Sequence, residues 1–68
     1  MKDKTCYALC SIYDETENKF PGMPIQALLD HAAKRACAVL GGVFEPRHIA
    51  DALLKRRADR EAFYAQKV

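Results

Sequence analysis

No apolar run in the chain approaches the roughly 18 residues that a membrane-spanning helix needs, so a helical membrane anchor is not expected. Large apolar side chains are scarce as well. Half of the 68 residues are hydrophobic, but eleven of those are alanine, and Leu, Ile, Val and Phe together number fifteen. A chain of this size buries only about 60% of its unfolded surface, and small cores usually need disulfides, a metal or self-association. The expected state is therefore a homodimer that shares its core.

Paired cysteines are missing too. There are three, an odd number, and MKDKTCYALCSIYDE has neither an uninterrupted apolar stretch nor a small-residue cleavage site. A cytoplasmic protein with reduced thiols is the expectation. As zinc ligands, Cys6, Cys10, Cys37, His31 and His48 lack the second close pair that a structural site shows. Cys6–Cys10 is the one close spacing, and on a strand the two would stand about 13 Å apart, out of disulfide reach. No metal and no cofactor is expected, and the cysteines read as small buried hydrophobes.

Catalytic patterns are equally thin. Nothing in the sequence places a cysteine beside a histidine. The acidic residues Asp14, Glu15 and Glu17, and Asp51, Asp59 and Glu61, show no paired-carboxylate arrangement. Gly41-Gly42 lacks the lysine or serine of a phosphate loop, and so small a domain has little room for a water-excluding pocket. A non-enzymatic protein follows.

What is present is a strong division of charge. Net charge is +2 overall, but residues 1–33 carry −2 and residues 34–68 carry +4, a weak pointer to an anionic partner. The chain itself reads as a single α+β domain. Thr5–Tyr13 (TCYALCSIY) is rich in residues that suit a pleated surface. Cys6, Ala8, Cys10 and Ile12 would line one face and Tyr7, Leu9 and Tyr13 the other. The helical template is matched as well, by Cys6, Leu9, Cys10 and Tyr13; the strand reading is preferred. DETENK would then be a turn, with Asn18 suited to a left-handed conformation, and Pro21-Gly22 the centre of a type II turn. A strand or hairpin is thus placed at 4–21.

Two helices follow, at 24–40 and 46–66, each opened by proline in its first turn. In the first, Ile25, Leu28, Leu29, Ala32, Ala33, Ala36, Val39 and Leu40 share one sector of the wheel, with Gly41-Gly42 as the stop. The alanine centre of that stripe would let a partner helix approach closely. In the second, Ile49, Ala50, Leu53 and Leu54 face inward and Arg47, Asp51, Lys55 and Asp59 form an outer ladder of charge.

After Leu54 the inward sector changes character. It becomes Arg56, Arg60, Phe63, Tyr64 and Lys67, with Arg57 alongside. A core stripe does not acquire three arginines, so the helix is expected to run past the end of its own core. Guanidinium and ring together suit capture of a protein surface, phosphate contact or base stacking; the plain alternative is a solvated helix end whose arginine stems cover apolar neighbours. Arg56, Arg57, Arg60, Phe63 and Tyr64 are the candidate partner-binding residues.

The corner KRACAVLGGVFEPRHIADALLKRR bears on the second possibility, a nucleic-acid-binding regulator in which Lys34, Arg35 and Arg47 add phosphate contacts. As a helix-turn-helix it places Ala38 correctly before Gly42 but puts His48 where an aliphatic anchor belongs. From Gly42 through Ile49, Ala52 and Leu53 it resembles the second helix of the ribbon-helix-helix family over some 25 residues, and the order strand, helix, helix is similar. That resemblance implies a dimeric DNA-binding regulator. The apolar TCYALCSIY and the ten residues after it depart from the family, and the corner reads first as a packing turn. The expected function is a small regulator or inhibitor that binds another protein through its last helix.

Overall fold

The computed structural model describes residues 2–66, which form three α-helices: α1 (Asp3–Lys19), α2 (Ile25–Leu40) and α3 (Pro46–Gln66). Each packs against both of the others. No strand occurs among the described residues, so the expected α+β fold with a strand or hairpin at 4–21 is corrected to a helical bundle.

The error lies in the choice of period. Cys6, Leu9, Cys10, Ile12, Tyr13 and Thr16 are the buried residues of α1, and they occupy one sector of a helical wheel. The strand reading put Tyr7 on the same face as Leu9 and Tyr13; in the helix Leu9 and Tyr13 turn inward while Tyr7 is 70% exposed. Packing of this stripe outweighs the β preference of its Thr, Cys, Tyr and Ile residues. DETENK is not a turn. It continues α1, with Asn18 in helical conformation and no positive φ at any non-glycine residue described. Thr16 is buried there because its hydroxyl donates to the Ile12 carbonyl at 2.8 Å.

The helix ends where the residue before a proline resists helical backbone. Phe20 leaves α1, its carbonyl accepts from the Met23 N–H at 3.2 Å, and Gly22 holds φ at +90°. This is the turn expected at Pro21-Gly22. At the end of α2, Gly41 takes φ +70° and its N–H reaches the Cys37 carbonyl at 3.1 Å, a left-handed cap that side chains with a Cβ adopt only with strain.

The core is small and built on few large residues. Leu9 of α1 and Ile49 of α3 are its largest fully buried side chains, with Ile12, Tyr13 and Leu28 around them. Ala32, Ala33, Ala36 and Ala52 let the helices come together closely. The alanine stripe of α2 is therefore occupied within the chain, and the expected dimer contact through that stripe has no free face to use. A dimer built by pairing strands would likewise find no strand among the described residues. Ile25, Val39, Leu40 and Leu54, read as inward, are exposed.

The long dimension is set by α3. Its 21 residues correspond to about 31 Å of helix, and the molecule measures 39 by 27 by 16 Å. The radius of gyration is 12.6 Å, above the value of about 11 Å for a compact chain of this length. Ile49 and Ala52 are buried and Leu53, Lys55 and Arg56 half-buried, whereas every residue from 57 to 65 is exposed. Beyond Arg56, α3 extends past the bundle.

Candidate groove between the first and third helices

Where α3 leaves the bundle, a groove of about 480 Å³ opens between it and the first turns of α1. Asp3 and Tyr7 line it from α1, and Lys55, Arg60, Phe63 and Tyr64 from α3. The helical period explains the convergence. Residues 56, 60, 63 and 64 continue the sector that Ile49 and Ala52 occupy in the core, so the same face that packs the bundle is presented, one turn later, to the groove.

The charged residues of the candidate site are not equivalent. Arg56 spans from α3 to α1 and makes two hydrogen bonds with Asp14, Nη1 to Oδ2 at 2.8 Å and Nη2 to Oδ1 at 3.3 Å. The hydrogen bond to Asp14 holds its guanidinium even more firmly protonated than usual. Its side chain is 24% exposed. Arg56 is therefore a clamp between helices, a role its place in the basic stripe did not disclose. Lys55, one residue back, bonds Asp3 at 2.9 Å and Asp59 at 3.3 Å, and those two carboxylates push its pKa up. Arg57 pairs with Glu61 one turn along, at 3.2 Å. Arg60 has no ion-pair partner among the described residues. Lys67, which continues the same sector, lies outside the described residues.

The rings are well presented. Phe63 is 54% and Tyr64 65% exposed; their centroids stand 5.9 Å apart in an edge-to-face arrangement, a geometry that favours a rigid pair. Tyr7 faces them from α1; sequence reasoning placed it on a strand face, as it placed Lys55 and Asp59, which also line the groove, on an outer ladder of charge. The signal for Tyr7 was available in the helical template, where it falls opposite Leu9 and Tyr13.

The cations offered for phosphate contact lie away from this groove and are already paired. Lys34 meets Asp30 at 3.3 Å, Arg35 meets Glu15 of α1 at 3.8 Å, and Arg47 meets Glu45 at 2.6 Å.

Histidines and cysteines have local duties. The Glu45 N–H donates to His48 Nδ1 at 2.9 Å, while the His48 N–H returns to the Glu45 carbonyl at 2.9 Å. His48 thus closes the N-terminus of α3 as glutamate does in a capping box, which explains why an aliphatic anchor is absent there. His31 stacks on Phe20 at 4.9 Å. The Phe44 N–H donates to Cys37 Sγ at 3.2 Å and the thiol donates to the Phe44 carbonyl at 3.4 Å, tying down the loop after Gly41. Cys6 and Cys10 both donate to the Ala52 carbonyl, each at 3.4 Å. They are one helical turn apart, so the separation of about 13 Å expected of a strand is corrected to about 5–6 Å between Cβ atoms. All three cysteines are free. Among the described residues no group of three or more His, Cys, Asp or Glu side chains is arranged to hold a metal ion, and no helix is long and apolar enough to cross a membrane.

With the geometry in view, comparison with known proteins adds no relative: no family model, no curated protein and no solved structure matches this chain.

Proposed function

We propose that this chain is a non-enzymatic binding protein of the cytoplasm that acts on another protein, as a regulator or inhibitor, through the groove and the projecting half of α3. One observation carries the reading: from Arg57 to Ala65 every residue of α3 is exposed, yet that stretch presents Phe63 and Tyr64 opposite Tyr7. Aromatic residues with arginine are the usual anchors of protein interfaces. A protein partner is favoured over nucleic acid because the cations suited to phosphate, Lys34, Arg35, Arg47 and Arg57, each have a carboxylate within ion-pair distance. Each pair would have to be broken before a phosphate gained that charge.

The test is a comparison of three immobilised proteins against extract from the source cells: the wild type, a Phe63→Ala/Tyr64→Ala variant and a Val43→Ser variant. Val43 is exposed and lies away from the groove. A partner retained by wild type and Val43→Ser but lost from the aromatic variant supports the reading. Micromolar binding to a random 20-base-pair duplex that weakens at least about tenfold between 50 and 200 mM salt would replace it with the nucleic-acid reading.

A further inference from the structure

Cys6 and Cys10 are two nucleophilic side chains aimed at the same point. Both Sγ atoms lie 3.4 Å from the carbonyl oxygen of Ala52, and both residues are buried between α1 and α3. Cys6 contributes to the lining of the groove, which gives the pair a side open to the exterior.

The spacing separates two kinds of chemistry. Cysteines one helical turn apart have Cβ atoms about 5–6 Å from each other, whereas a disulfide needs them at about 3.5–4.5 Å. Cysteines at that Cβ separation are poorly placed for a direct disulfide, while their two thiols converge on one point, the Ala52 carbonyl. The number of donors then selects that atom. Structural zinc takes four ligands and calcium six or more oxygens, and neither set exists here. Soft thiolates favour Cu(I), a closed-shell ion that is satisfied by two sulfurs in a line.

We propose that Cys6 and Cys10 form a two-coordinate site for a soft monovalent cation, Cu(I), enclosed between α1 and α3. Binding exchanges two thiol protons for one metal ion: each S–H bond is lost to solvent as H⁺, two S–Cu bonds form, and no electron is transferred. The product carries one negative charge. Arg56 stands one turn beyond Ala52 on α3, clamped to Asp14, which is one turn beyond Cys10 on α1. Its guanidinium is thereby held at the next turn of both helices, where its positive charge offsets that of the complex. This assignment is independent of what occupies the groove.

The experiment is anaerobic titration of the full chain with Cu(I) supplied as its bicinchoninate complex, together with thermal unfolding. One equivalent should pass to the wild type and to Cys37→Ser, and neither Cys6→Ser nor Cys10→Ser should take it up. Cys10→Ala, which keeps the core apolar, serves as a second variant if the serine substitution unfolds the bundle, as circular dichroism would reveal. The melting temperature of the wild type should rise on binding, because a site formed only in the folded state stabilises it. Failure of the wild type to compete for the ion would overturn the proposal. So would uptake that survives both Cys6→Ser and Cys10→Ala, uptake abolished by Cys37→Ser, or a fall in melting temperature, which would mean that the metal captures thiols of the unfolded chain.

Discussion

From Pro46 to Arg56, α3 buries Ile49 and Ala52 against α1 and α2; from Arg57 to Ala65 the same helix is exposed at every position. The first half owes its stability to tertiary packing. The second half relies on helix-favouring residues (Ala, Arg, Glu) and on pairs such as Lys55–Asp59 and Arg57–Glu61, each of which contributes only a few tenths of a kcal/mol. Helices of about this length are marginal alone in water. The projecting half, with every residue from 57 to 65 exposed, thus adds little to the support of the bundle.

The comparison breaks most readily at Leu9. It is fully buried on α1, and truncation of such a side chain costs about 2–5 kcal/mol, much of the whole stability of a domain this small. Leu9→Ala should therefore lower the denaturation midpoint severely or leave the chain unfolded. The matched change outside the core, Arg60→Ala, should alter stability by no more than about 0.5 kcal/mol. Equal losses in the two variants, measured by urea unfolding, would mean that the projecting half supports the fold after all.

Alkaline pH should distinguish the regions less drastically. Burial raises the pKa of Cys10 above its ordinary 9.0, and burial followed by the hydrogen bond to Glu17 raises that of Tyr13 above 10.0. Both groups are neutral when protonated, so the folded state holds its protons more tightly than the unfolded chain does. Their contribution is complete below the ordinary pKa values and is lost as pH rises through the elevated ones. Stability should thus decline from about pH 9 upward, and Cys10→Ala and Tyr13→Phe should each flatten that decline. Val43→Ser, at an exposed position that carries no titratable group, should leave it unchanged. An alkaline limb indifferent to both core substitutions would show that neither group is buried as described.

The sequence disclosed these regions unequally, for physical reasons. The limits of α2 and α3 were legible because proline opens each helix and Gly41 ends the first; such punctuation acts locally and needs no tertiary partner. The change of character after Leu54 was legible because the inward sector can be followed along a single helix. TCYALCSIY was not, since nine residues satisfy both periods and only the packing of Leu9 and Tyr13 against other helices decides between them. Thr16 hid the rest of the stripe, a polar residue that enters the core by donating to its own helix. The division of labour among the arginines was beyond reach as well: Arg56 and Asp14 are 42 positions apart, and nothing local marks one arginine as a clamp and Arg60 as available.

The smallest effect on stability should come from the two rings, and it is the sharpest test of how α3 is divided. Phe63 and Tyr64 are more than half exposed, so their joint replacement by alanine removes little burial, and alanine is the better helix former. The unfolding midpoint should move by less than about 0.5 kcal/mol in either direction. Backbone amide exchange should report the same boundary without mutation. Amides around Leu9 and Ile49 should exchange only through global opening, and those from residue 57 onward through much cheaper local opening. A protein that binds the groove should slow exchange in residues 57–65 while leaving the core amides at their original rates relative to global stability. Protection of the projecting half in the isolated monomer, equal to that of the core, would refute the view that it awaits a partner, since the helix would then already possess everything that holds it.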